Sequence, residues 1–157
     1  MTVIGALLIL GASCAVSFCL IREGTGKVTA LEAVCRLIMH IKQNIETFGT
    51  PIDGILECYS SEYFEKSCFA DEMRKNGIAH AASCGRIALR EDAETEFKAF
   101  AENIGKGYRD EEIRRCEYYL SLFEGYLSEE KDRLKRYSPM YRYLPPLAAM
   151  SLIIIVL

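Results

Sequence analysis

The stretch Thr29–Ser60, TALEAVCRLIMHIKQNIETFGTPIDGILECYS, carries apolar residues at Leu31, Val34, Ile38, Ile41, Ile45 and Phe48, alternately three and four positions apart. That spacing keeps one face of a helix apolar. Thr29 with Glu32 reads as a capping box that opens this helix, and Gly49 ends it. Thr50-Pro51-Ile52-Asp53 restarts a helix at once, with Thr50 as N-cap, Pro51 at the first helical position and Asp53 near the positive end of the dipole. Two helices meeting at an elbow are expected, and their apolar stripes need other elements to cover them.

Those elements read as helices too. No proline lies between Ile52 and Ser138, and strand-like alternation is absent. Phe64, Phe69 and Met73 suggest a short helix stopped by Asn76-Gly77, and Ile78 to Leu89 another. Asp92 or a neighbour caps a helix bearing Ala93, Phe97, Phe100 and Ile104, which Gly105-Lys106-Gly107 ends. Asp110 starts the longest helix, with Ile113, Cys116, Leu120, Phe123, Leu127, Leu134 and Tyr137 on its apolar face until Ser138-Pro139. Glu117, Glu124 and Lys131 fall on its solvated face, and the adjacent acids Glu111-Glu112 and Glu129-Glu130 read as surface charge. The fold class is all-α: a bundle of about five or six amphipathic helices over residues 29–138.

Charge divides the chain. The 19 Lys and Arg and the 22 Asp and Glu all lie between Arg22 and Arg142. Residues 1–21, MTVIGALLILGASCAVSFCLI, are long enough as a helix to cross a bilayer core of roughly 30 Å. Residues 22–28 then form a linker broken at Gly24 and Gly26. No basic residue precedes Arg22, which favours a retained anchor over a cleaved signal; processing near Cys14 is the alternative. Residues 139–157 form a second membrane segment whose apolar run, from Tyr143, is short for a full crossing, with a buried core helix as its alternative. Arg22, Arg133, Lys135, Arg136, Tyr141, Arg142 and Tyr143 are the expected membrane-interface residues. Basic residues flank both spans on the inner side alone, so the central body is expected in the cytoplasm with both termini outside.

The sequence shows no set of groups for catalysis. Gly105-Lys106-Gly107 is too short for a phosphate loop, and His40 and His80 form neither HxxxH nor HExxH, so no metal ligand set or cofactor site is visible. The seven cysteines, Cys14, Cys19, Cys35, Cys58, Cys68, Cys84 and Cys116, include no CxxC pair and read as free thiols in a reducing compartment. A net charge of −3 gives no general attraction to nucleic acid. The first candidates for contacts with partners are loops held by rigid helices, Thr50 and Pro51 at the elbow and Gly105, Arg109 and Asp110 at the turn before the long helix, with a plain role as helix punctuation as the alternative that cap chemistry favours.

Leu37–Leu56 (LIMHIKQNIETFGTPIDGIL) and Phe100–Tyr143 (FAENIGKGYRDEEIRRCEYYLSLFEGYLSEEKDRLKRYSPMYRY), with the apolar tail after them, resemble the stage III sporulation protein AB family over nearly the whole chain. Ile45-Glu46 before Thr50-Pro51 is similar to the family's elbow, and Ile104-Gly105 before Asp110 to its break ahead of the long helix. Leu144-Pro145-Pro146 departs from the family's Leu-Gly pair. Glu112 stands about where Gln is common, a difference expected to change little. The resemblance implies a non-enzymatic membrane component of a channel-like complex between mother cell and forespore. That family is also similar to the inner-membrane platform proteins of type II secretion and type IV pilus systems, whose cytoplasmic helices contact an assembly ATPase. It implies as partners membrane lipid, other proteins of the stage III sporulation A complex, its AA-type ATPase, and further copies of this chain. A membrane-tethered adaptor with a soluble client is the competing reading.

Overall fold

In the computed structural model the backbone is described for residues 2–48 and 51–156; most side chains before Arg22, that of Asp53 and those after Tyr137 lie outside the described set. Six helices follow in order: α1 (Thr2–Phe48), α2 (Ile52–Cys58), α3 (Glu62–Lys66), α4 (Phe69–Ser83), α5 (Glu91–Asn103) and α6 (Arg109–Val156). No strand occurs among the described residues. The chain divides into two units, residues 27–128 and residues 1–26 with 129–157.

The core of the 27–128 unit is the one the heptad spacing predicts. Leu31, Val34, Ile38, Ile41 and Ile45 are all buried, whereas Phe48, the last residue of the stripe, is 75% exposed. Phenylalanines supply the facing surface: Phe64 packs on Phe69 at 4.8 Å between ring centroids, Phe69 on Phe97 at 6.0 Å, and Phe97 on Phe123 at 6.3 Å. Tilted and edge-on ring pairs at such distances are favoured by the aromatic quadrupole, so the ladder ties α3, α4, α5 and α6 into one core. Lys42 on α1 reaches Glu117 on α6 at 2.8 Å, and this hydrogen bond raises the lysine's pKa. Arg90 grips both carboxylate oxygens of Asp92 at 2.6 and 2.5 Å while its guanidinium lies 5.4 Å over the Tyr126 ring.

Several element boundaries differ from the sequence reading. Residues 22–28 are helical within α1, so the expected glycine-broken linker and the Thr29–Glu32 capping box are not formed. Glycine weakens a helix by roughly 1 kcal/mol without breaking it, and Gly24 has a packing reason to be there: a Cβ on it would stand 2.9 Å from Leu134 Cδ1 within the smaller unit. Likewise α6 runs through Pro139, Pro145 and Pro146 instead of ending at Ser138; each proline forfeits a backbone hydrogen bond in a long ladder of them. The N-cap of α5 is Arg90, two residues before Asp92, and that of α2 is Pro51, with φ −57° and ψ 144°, one residue later than expected. The stop at Asn76-Gly77 is seen as a kink inside α4, where Gly77 has φ 82° and ψ 166°. The segment after it ends at Ser83, short of Leu89. Phe64 belongs to α3, separated from α4 by Cys68 at φ 56°.

Among the described residues no helix is long and apolar enough to cross a membrane. The two expected spans, residues 1–21 and 139–157, fall mostly on side chains outside that set.

Candidate partner-binding site

Helix ends leave carbonyl and amide groups without partners inside the helix, and three such ends meet in the 27–128 unit. At the end of α1, Arg109 Nε donates to the carbonyl of Ile45 at 3.1 Å, and its Nη2 donates to the carbonyl of Glu46. A guanidinium there both fills orphan carbonyls and meets the negative end of the helix dipole. Arg109, expected as a partner contact, is thus also a C-cap for α1.

At the start of α6 the acids do the converse. Glu111, third residue of the helix, reaches back to the amide of Tyr108 at 3.3 Å, which is half of a capping box. Glu112 accepts from the amide of Gly107 at 2.7 Å on Oε1 and from that of Gly105 at 3.0 Å on Oε2. Arg115 Nη1 completes the set, 2.5 Å from Glu112 Oε1 and 2.8 Å from the carbonyl of Asn103 at the end of α5. Glu112 is only 4% exposed, so its assignment to surface charge is corrected. Its carboxylate closes the turn between α5 and α6, and a buried charge requires that pairing. The signal for it was a Gly-x-Gly turn, rich in free amides, just before an acidic first helical turn. Glu130 too is buried, at 6% exposure, rather than surface charge.

Both glycines fit this closure. Gly105 has φ +85°, and a Cβ on it would meet Ile52 Cγ1 at 3.0 Å; a Cβ on Gly107 would stand 2.8 Å from Glu112 Oε1. The contact of Gly105 with Ile52 brings the α5–α6 turn onto the elbow before α2. Where elbow, turn and the α4 kink meet, a groove of about 680 Å³ opens. Ile45, Ile52, Leu56 and Ile78 line its apolar part, and Glu102, Lys106 and Arg109 supply charge.

Pro51 and Gly105, singled out separately in the sequence, thus line one groove together with Arg109. Asp110 is exposed in the first turn of α6 beside it, and Thr50 lies outside the described residues. Of the expected membrane-interface residues, Arg22, Arg133, Lys135 and Arg136 are exposed, while the side chains of Tyr141, Arg142 and Tyr143 lie outside the described set. One turn along α6 from Glu112, Cys116 is fully buried, and burial, reinforced by the Glu112 charge, pushes its thiol up to about 11. The groove thus has an apolar floor and a charged rim.

Residues 2–157 match the family model described as stage III sporulation protein AB. Among curated proteins and among solved structures, nothing matches the chain.

Proposed function

From the premise that this chain belongs to the stage III sporulation protein AB family, we propose that it is a non-enzymatic, membrane-anchored platform whose helical body docks the assembly ATPase of the sporulation complex. Membership carries a sporulation role, and the family is not a known enzyme family. The observation behind the docking reading is the groove that unites the Pro51 elbow with the Gly105–Gly107 turn. A preformed surface on helix ends locked by Arg109 and Glu112 loses little freedom on binding, which favours affinity.

Anchoring rests on the uncharged runs before Arg22 and after Arg142, with the exposed Arg133, Lys135 and Arg136 facing anionic lipid at ~1 kcal/mol each. In this arrangement the body faces the mother-cell cytoplasm and both termini lie outside.

Photo-crosslinking in sporulating cells tests the docking. A crosslinker at Lys106, on the groove, should capture the ATPase, and one at Glu124, on the exposed face of α6, should not; equal capture at both positions, or none at Lys106, overturns the groove. Topology is read separately with single reporter thiols at Thr2, Ser61 and Leu157. Shielding of Ser61 with labelling of both ends is the expected pattern, and a labelled Ser61 reverses the orientation.

A further inference from the structure

His80, which has no recognisable partner in the linear sequence, has two in the fold: Glu72, across the kink in α4, and Cys84, four residues further on. Its Nδ1 lies 3.6 Å from Glu72 Oε2 and 3.8 Å from Cys84 Sγ, and one ligand atom from each of the three residues falls within 4.8 Å of the others. Zinc bonds of roughly 2.0–2.2 Å to nitrogen or oxygen and 2.3 Å to sulfur, at tetrahedral angles, hold neighbouring donors about 3.4–3.6 Å apart. The two pairs that His80 makes are within a few tenths of an ångström of that spacing, and Glu72 and Cys84 lie within 4.8 Å of each other.

Two features of the backbone assemble the set. His80, in the second half of α4, and Cys84, the C-cap of that helix, are four residues apart and so share one face. Glu72 precedes His80 by eight residues, a separation of about 12 Å along a straight helix. Gly77 lies between them at φ 82° and ψ 166°, a region open essentially to glycine alone, and across this kink the two side chains come within 3.6 Å. The carboxylate is also oriented: Asn76 Nδ2 donates to Glu72 Oε2 at 2.8 Å and Arg86 Nη2 lies 3.4 Å from Oε1. These neighbours, the Asn76 bond foremost, hold the Glu72 carboxyl below its ordinary pKa. His80 and Cys84 are exposed and Glu72 is half-buried, so an ion reaches them from solvent without unfolding.

We propose that Glu72, His80 and Cys84 bind one divalent cation of the zinc class, with water in the fourth position. A thiolate and an imidazole favour zinc over magnesium or calcium. Cys84 binds as the thiolate, its proton passing to solvent. The bound ion links the two halves of α4 across Gly77, beside the wall of the groove formed by Asn76–Ala79.

Cobalt(II) is the probe. The full-length protein, purified in detergent with a non-chelating reductant, should take up one cobalt ion with a sulfur-to-cobalt charge-transfer band and intense tetrahedral visible absorption, both abolished by stoichiometric zinc. Cys84→Ser should remove the charge-transfer band, while His80→Gln and Glu72→Gln should weaken binding at least about tenfold, with helical circular dichroism unchanged in all three. Cys58→Ser and Cys68→Ser, whose thiols lie outside the set, should retain the band. A full-length protein with no charge-transfer band, or a band that survives Cys84→Ser, overturns the proposal.

Discussion

Glu112→Gln leaves a single acceptor oxygen where the carboxylate uses two, so one of the Gly105 and Gly107 amides loses its partner and Arg115 loses its counter-charge. At 4% exposure water does not replace them. Unfolding in urea should show a loss of about 1.5–3 kcal/mol, the range for hydrogen bonds to a charged group; an unchanged midpoint would mean that the turn closes without this side chain. Cys116 makes a second prediction at this scale. Its thiol stays protonated in the folded chain up to about 11 but ionises near 9.0 when exposed. The stabilisation is therefore complete below pH 9 and is lost as pH rises toward 11. Burial raises Tyr59 and Tyr119 as well, so the wild-type curve falls through several groups. The contribution of Cys116, on the order of 2 kcal/mol, is the part of the alkaline loss that Cys116→Ala should remove, measured as the difference between the two urea-unfolding curves across that window.

Two glycines on different elements separate backbone strain from crowding. Gly77 and Gly105 both have positive φ, yet a Cβ at Gly77 meets nothing within 4 Å while one at Gly105 meets Ile52 at 3.0 Å. Gly77→Ala should thus cost only conformational strain, about 1–3 kcal/mol, and favour a straighter α4. Gly105→Ala should cost more, because the elbow must also shift away from the turn. Thermal unfolding of the two variants ranks them, and a smaller loss at Gly105 would show that the turn and the elbow separate freely. These elements also show how far the sequence is readable. The stripe from Leu31 to Ile45 and the stop at Gly77 are legible because helical periodicity and glycine's backbone freedom are local properties. Continuity of α1 across Gly24 and of α6 across Pro139 is not, since local propensity favours a break and the reason for Gly24 is Leu134, far away in sequence. The site divides the same way. Pro51 and Gly105 stand out as punctuation, but only the folded chain brings them to one groove and sets Glu112 and Arg109 onto helix ends.

At the scale of the molecule, one unit contains nearly every residue of the buried core. Residues 27–128 enclose the stripe of α1, the phenylalanine ladder and both helix-end staples, so the interactions that specify the fold do not depend on the apolar ends of the chain. Its length is within the range at which a helical domain sustains a single core. A fragment of residues 27–128 should therefore be helical by circular dichroism and unfold in one cooperative transition, with Cys35 and Cys116 protected from alkylation until that transition and Cys58, Cys68 and Cys84 labelled before it, as their burial and exposure dictate. Early labelling of Cys116 would show instead that the core needs the remaining parts of α1 and α6 to close. A cooperative fragment would also carry the whole groove, so it should compete with the full-length protein for the crosslink formed through Lys106, and its failure to compete would place the partner's main contacts on the residues outside it.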